Sequence, residues 1–104
     1  MTDELPEVAM GHRHHFHLDQ GDHSITVNVG PGRSGEIELL VDGKVVAYQK
    51  EHRAGMNVLT GELPEEPAHP FRVLLRQPHL VPSMPRCTLE LDGVEQPMPE
   101  RLVL

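Results

Sequence analysis

The chain has little cysteine and no long apolar run. Cys87 is its only cysteine, so no disulfide can form within the chain and no multi-cysteine metal site is possible. No apolar run approaches the roughly 20 residues needed to cross a bilayer. The first ten residues carry acidic side chains where a signal peptide has a basic start and an apolar stretch. We therefore expect a cytoplasmic protein.

Positive charge is also scarce. The chain has nine lysines and arginines and 16 aspartates and glutamates, which gives a formal net charge of -7. Nucleic-acid binding needs a basic stripe that displaces counterions from phosphates, and anionic membrane surfaces likewise attract basic segments. We predict that the protein binds neither nucleic acid nor membrane. Its eight histidines make the net charge strongly dependent on pH near 6.

Motifs of common catalytic sites are missing as well. There is no Gly-x-Ser-x-Gly elbow, P-loop or Rossmann fingerprint, and segment 30–35 lacks the lysine and following helix of a phosphate-binding loop. Cys87 falls on the predicted inward face of a strand with Leu89 and Leu91, where a thiol is typically an inert core residue. We expect a protein that is not an enzyme and that needs no cofactor, unless it binds a divalent metal.

What the sequence does have is alternating apolar and polar residues, as in half-buried strands. Turn-forming residues separate these segments about every ten residues. A helix is an alternative around 48–56, where the pattern is ambiguous. Strands are predicted at 12–18, 23–29, 36–41, 44–50, 56–60, 71–76 and 87–91, with a short edge segment in the tail after Val94.

These features predict an all-β fold, a single-domain antiparallel β-sandwich of about seven or eight short strands. Residues 1–10 have no periodicity and are predicted to be a disordered tail, and residues 11–104 are predicted to form the sandwich. Frequent arginine, alanine, glycine, proline and valine favour a GC-rich bacterial genome as the source.

The clearest hairpin has Asp42-Gly43 at its centre, a dipeptide suited to a type I′ turn because both residues need positive φ. A regular two-residue turn places Leu39 opposite Val46 on the predicted inward face. Segment 62–70, with three prolines and three glutamates, is predicted to be a loop.

Two segments of the chain, 23–43 and 69–93, are similar to each other. Each consists of a strand, a loop, a strand and an Asp-Gly turn, and their match needs four inserted residues in the second loop. Either hairpins of similar composition look alike, or half of a sandwich has been duplicated.

The pattern His23-x-Ile-x-Val, loop, Ile37-x-Leu-Leu-Val-Asp-Gly-Lys-Val resembles the strand-loop-strand unit of the Fas apoptotic inhibitory molecule family. So does His69, loop, Thr88-Leu-Glu-Leu-Asp-Gly-Val-Glu-x-Pro. The resemblance covers about residues 14–96 and implies a compact antiparallel β-sandwich that is cytosolic and not enzymatic. It brings no site residue to this chain, which lacks the tryptophans and the aromatic density of that family.

The unusual feature of the sequence is a histidine cluster at 12–17, His-Arg-His-His-Phe-His. On a strand His15 and His17 share one face, and two imidazoles at this spacing can reach one metal ion. The predicted hairpin places Thr26 opposite His15 and Ser24 opposite His17, so neither supplies a third ligand. Such a ligand would have to be a carboxylate or His52, His69 or His79. The alternatives are a polar, half-exposed strand face, a metal site and a pH-sensitive switch.

Three apolar residues are predicted to point outward, namely Leu40, Val45 and Leu74. If their strands are neighbours, they form a patch that suits a protein partner or a second copy of the chain. The favoured interpretation is a non-enzymatic interaction or self-associating module, dimeric through an edge strand or through the Leu40/Val45 face. The alternative is a small metal-binding β protein that uses the His12–His17 cluster.

Overall fold

Alternating apolar and polar residues produce nine β-strands in the computed structural model, which describes residues 14–30, 36–50, 55–77 and 85–101. None of these residues belongs to a helix, and so none lies in a helix that could span a membrane. The strands are β1 (His14–Gln20), β2 (His23–Val29), β3 (Ile37–Val41), β4 (Lys44–Gln49), β5 (Gly55–Leu63), β6 (His69–Gln77), β7 (Arg86–Leu91), β8 (Val94–Pro97) and β9 (Glu100–Arg101).

The strands form two antiparallel sheets. The first sheet has the order β4-β3-β2-β1-β9 and the second has the order β5-β6-β7-β8. Strands β1 to β4 and β5 to β8 are two successive meanders, and the short β9 returns from the second sheet to pair with β1. The predicted all-β sandwich is confirmed, and its described residues form nine strands where about seven or eight were expected.

The core lies between the two sheets, because alternate residues of each central strand point inward. The inward face predicted for 87–91 is buried as expected, and Phe71, Val73 and Leu75, at alternate positions of β6, are buried too. The buried apolar side chains are Phe16, Ile25, Val27, Val29, Ile37, Leu39, Val41, Leu59, Leu63, Phe71, Val73, Leu75, Cys87, Leu89, Leu91 and Met98.

Two tight turns of the same kind connect β3 to β4 and β7 to β8. Asp42 and Gly43 have φ values of 52° and 84°, and Asp92 and Gly93 have values of 55° and 79°. Positive φ at both central residues is the signature of a type I′ turn. The turn predicted at Asp42-Gly43 is confirmed.

The pairing predicted between β3 and β4 is correct for the two residue pairs next to the turn, Val41 with Lys44 and Leu40 with Val45, and is wrong from Leu39 onward. A β-bulge between Leu39 and Leu40 shifts the register, so that Leu39 pairs with Ala47 and not with Val46. The extra residue of a bulge changes which side chains of the strand face the core. Ala47 packs against the core, and Tyr48 is turned to solvent.

The pairing predicted between β1 and β2 is also shifted, by two residues. Asp19 and Gln20 continue the strand, and Gly21-Asp22 forms a two-residue turn with Gly21 at a φ of 62°. His15 therefore pairs with Asn28 and His17 with Thr26. Asp19 suggested a longer turn over 19–22, but Gly21 has the positive φ that a two-residue hairpin turn requires at its first central position.

Several predicted boundaries change or fall outside the described residues. The predicted loop at 62–70 shortens to 64–68, because β5 extends to Leu63 and β6 begins at His69. The alternative of a helix around 48–56 does not hold for residues 48–50 and 55–56, and residues 51–54 are outside the described part. The predicted disordered tail, residues 1–10, and the start of the domain at residue 11 are outside it too.

The internal similarity between 23–43 and 69–93 is one of position as well as sequence. The first segment supplies β2 and β3, and the second supplies β6 and β7, each the middle pair of a four-stranded meander. Each pair is followed by a type I′ Asp-Gly turn. This correspondence is the arrangement expected of a duplicated half-sandwich.

Replacing Leu39 with alanine should remove a fully buried side chain from the centre of the core. We expect Leu39→Ala to lower the free energy of unfolding by about 2–5 kcal/mol, through lost apolar burial and the cavity left behind. Urea denaturation measures the change. Val94→Ala is the control, since Val94 is exposed on β8 and a surface change of this kind stays within about 0.5 kcal/mol. Equal losses in the two variants would contradict the assignment of the core.

Candidate functional site

The histidines of β1 divide between the two faces of the strand. His15 and His17 share the outer face of the first sheet, and His14 lies on the side of Phe16, with its ring stacked at a centroid distance of 6.4 Å. His14 Nδ1 is 2.5 Å from Glu100 Oε2, so this side chain links β1 to β9. The face shared by His15 and His17 is the one that the spacing predicts.

Polar groups of the same sheet contact both histidines of the outer face. His15 Nδ1 lies 2.5 Å from the Asn28 side-chain oxygen. His17 Nδ1 lies 3.1 Å from Thr26 Oγ1, and its Nε2 lies 2.9 Å from Asp19 Oδ1. The sequence pattern did not predict the contact between His17 and Asp19, because it placed Asp19 in the turn and not in β1. These hydrogen bonds suit a polar, half-exposed strand face.

A third metal ligand does not join His15 and His17 in the described part of the chain. There, no group of three histidines, cysteines or carboxylates is arranged to hold a metal ion. His69 begins β6 in the other sheet. His12, His52 and His79 lie outside the described residues.

The thiol of Cys87 is buried, with Sγ 3.6 Å from Met98 Sδ. Burial raises the pKa of the Cys87 thiol to about 12. Since the thiolate is the nucleophilic form, this side chain is unsuited to catalysis near neutral pH. Its inward position is the one predicted from the sequence.

The three outward apolar residues do not form one patch. Leu40 and Val45 pair with each other on the outer face of the first sheet, and Leu74 lies on β6 in the second sheet. The outer faces of the two sheets point in opposite directions. The strands are not neighbours because the chain completes a four-stranded meander before it crosses to the other sheet.

A different apolar surface emerges at one corner of the sandwich. Among the described residues six large hydrophobic side chains are exposed, and five of them belong to β4 and β5. These are consecutive strands, each at the edge of its sheet, and Gln49 Nε2 donates a hydrogen bond to Asn57 Oδ1 between them at 2.9 Å. We call this surface the apolar corner. It continues around the side of the sandwich: Val45 and Tyr48 face outward from the first sheet, and Val46 lies at the bulge on its edge. Met56 and Val58 alternate with the buried Asn57 and Leu59, so they face outward from the second sheet.

The sequence pattern missed most of this corner for a physical reason. Regular alternation assigns Val46 and Tyr48 to the inward face, but the bulge leaves both exposed. An open concavity of about 840 Å³ adjoins Val46 and extends along the second sheet. Its lining includes Phe71 and Pro70 together with Glu62, Glu90 and Asp92.

No protein-family model matches the chain, and neither the curated proteins nor the solved structures include a match. The resemblance to the Fas apoptotic inhibitory molecule family therefore stays a prediction from the sequence.

Because His15 and His17 are hydrogen-bonded to polar groups of their own sheet, we expect them to hold no stoichiometric metal. Elemental analysis of protein purified without a tag should give the same metal content as the double variant His15→Ala/His17→Ala. Metal bound one-to-one to the unmodified protein and lost from the variant would contradict this expectation and establish the metal-binding alternative.

The buried thiol should be unreactive in the folded protein. With a pKa of about 12 for Cys87, about one thiol in ten thousand is ionised at pH 8. We expect alkylation at this pH to be slow in buffer and to accelerate strongly in concentrated urea, where the thiol becomes accessible. Labelling at equal rates in both conditions would show that the thiol is not buried.

Proposed function

We propose that this protein is a non-enzymatic interaction module that self-associates through the outer face of β4 and the apolar corner. The observation that supports the proposal is the concentration of five exposed hydrophobic side chains on two neighbouring edge strands. An apolar patch on an otherwise acidic surface is typical of a protein contact site. Leu40, half-buried beside Val45, extends the patch onto β3.

The four sheet edges differ in how they are protected. Edge strands usually avoid association by being short, charged or interrupted by proline. β9 has two residues, both charged, and β8 has four residues that include Glu95 and Pro97. β4 has six residues, of which only Lys44 is charged, and the nine-residue β5 lies beside it. The two least protected edges therefore meet at the apolar corner.

The charges around the apolar corner favour a second copy of the chain as the partner. Lys44 lies at one end of β4, and Glu36 and Glu38 lie near Tyr48 at the other end, where a hydrogen bond to Glu36 raises the pKa of the tyrosine. A two-fold axis that sets the β4 strands antiparallel brings each Lys44 toward Glu36 and Glu38 of the other copy. Lys50 lies at the same end of β4 as these two carboxylates, but the net charge of that end remains negative. Such an interface is self-complementary.

The geometry of β4 indicates what kind of contact this is. The bulge interrupts the regular edge at Val46, so we place the contact on side chains and not on a continuous backbone ladder. A six-residue strand is only about 20 Å long. Interfaces of this extent are at the small end of the range for specific complexes. We expect a dimer that forms and dissociates with concentration.

A lysine in the apolar corner should prevent self-association without disturbing the core, because Val46 is exposed. We expect Val46→Lys to weaken dimerisation at least about tenfold, a change of about 1.4 kcal/mol. Light scattering over a concentration series measures the mass.

The matched control is Val94→Lys, which places the same charge on the exposed valine of β8, far along the second sheet from β5. It should dimerise like the unmodified protein. A strict monomer at high concentration, or equal weakening by both lysines, would refute self-association through this corner.

A further inference from the structure

Five titratable side chains gather at the end of the sandwich where the β1–β2, β3–β4, β5–β6 and β7–β8 connections lie. We call this group the turn-end cluster. It alternates carboxylates and imidazoles in the order Asp42, His23, Glu65, His69 and Asp92. Asp42 and His23 lie in the first sheet and its β3–β4 turn. Glu65, His69 and Asp92 lie in the second sheet and its connections, so the cluster crosses between the sheets.

In the first sheet, the histidine that begins β2 contacts the aspartate of the turn after β3. His23 Nδ1 is 2.8 Å from Asp42 Oδ2. The backbone N–H of Ser24 donates to Asp42 Oδ1 at 2.9 Å, and the N–H of Asp42 donates to the Ser24 carbonyl. The Ser24 hydrogen bond, followed by that of His23 and with Lys44 adding positive charge, lowers the pKa of Asp42. This carboxylate is thus a fixed negative charge.

The second sheet contains an equivalent contact between the first histidine of a strand and the aspartate of a type I′ turn. His69 begins β6, and its Nε2 lies 2.9 Å from Asp92 Oδ1 in the turn after β7. Its other ring nitrogen, Nδ1, lies 3.3 Å from Glu65 Oε1. The hydrogen bond to Asp92 is the largest cause of the raised pKa of His69; burial opposes it, and the hydrogen bond to Glu65 raises the pKa further by a smaller amount.

Glu65 connects the two halves of the turn-end cluster. It lies in the 64–68 loop, where its N–H donates to the carbonyl of Leu63 at 2.8 Å. One carboxylate oxygen faces His69, and the other lies 3.7 Å from His23 Nε2 in the first sheet. A single carboxylate therefore spans the gap between an imidazole of each sheet.

The protonation state of His69 decides whether both of its contacts can exist. An imidazolium has an N–H on each nitrogen and can donate to Asp92 and to Glu65 together. A neutral imidazole has one N–H, and its other nitrogen then presents a lone pair to a carboxylate oxygen. One of the two contacts must break on deprotonation. The longer one, to Glu65, is the weaker of the pair.

A proton is the cation that fits this cluster. The described residues contain no group of three histidines and carboxylates arranged around a metal position. With both imidazoles protonated, two positive charges offset two of the three carboxylate charges, and with both neutral none of the three is offset. Repulsion between the carboxylates then acts on Glu65, which lies between Asp42 and Asp92 in the cluster.

We propose that Glu65 is a proton-dependent link between the two sheets, held by the imidazolium of His69 and released when His69 loses its proton. The link ties the 64–68 loop to the start of β2 in weakly acidic solution. Because the pKa of His69 is raised, the stabilisation is complete below its ordinary value of 6.5 and is lost as the pH rises through the raised value. The inference is independent of self-association, since none of the five residues belongs to the apolar corner.

The direct test is an NMR titration of the full chain from about pH 5 to about pH 9. The imidazole signals of His69 and His23 and the backbone amide of Glu65 are followed together. We expect the midpoint of His69 above 6.5 and the Glu65 amide to titrate with that same midpoint. If the chemical shift of the Glu65 amide does not change as His69 titrates, the proposal is overturned, whatever the results with the variants.

The variant Glu65→Gln keeps the shape of the side chain and removes its charge. We expect the His69 midpoint to move down toward 6.5 and the fall of the urea midpoint with rising pH to become shallower. The control is Asp19→Asn, which removes the charge from a histidine–carboxylate contact that stays within β1. It should leave both readouts unchanged. If Glu65→Gln behaves like Asp19→Asn, His69 is held by Asp92 alone and the link between the sheets does not exist.

Discussion

Burial of one face of each sheet against the other is the constraint on which the rest of this structure depends. With no tryptophan and two phenylalanines, the core is built mainly from Val, Leu and Ile on alternate positions. Each such position fixes its neighbours to the outside, because side chains of a strand alternate between faces. The histidines of β1 follow this rule: Phe16 is buried, so His15 and His17 must face outward. What the surface can do is therefore decided by which residues the core needs.

The apolar corner and the turn-end cluster arise where that constraint weakens. At β4 a bulge breaks the alternation, and hydrophobic side chains that would have entered the core remain at the edge. At the end of the sandwich the strands have stopped, and polar groups of successive turns approach each other across the two sheets. Both features lie where regular sheet geometry ends, which is also where proteins commonly place binding and regulatory groups.

The sequence was sufficient to predict the all-β fold but not the apolar corner or the turn-end cluster. The difference is that the fold depends on local features and the two sites depend on contacts between distant residues. Asp42-Gly43 predicts its turn because positive φ at two adjacent positions is a local requirement, and Val73 or Leu89 predict burial because alternation is local too. The pairing of Leu39 with Ala47 depends on a bulge that no residue type in the sequence indicates. The contact of His69 with Asp92 joins residues 23 apart in the chain. The contact of Glu65 with His23 depends on how two sheets stack. Packing between distant segments is information that a single sequence does not display.

The return of β9 to the first sheet bears on the order in which the protein can assemble. Strands β1 to β4 are made from residues 14–49, but the fifth strand of their sheet is residues 100–101. The contact between His14 and Glu100 spans 86 positions. Contacts between segments so far apart in the chain raise the contact order, and folding slows as contact order rises. During synthesis the second meander must emerge and cross before β1 gains its outer neighbour, and until then that strand presents an open edge to chaperones and to other nascent chains.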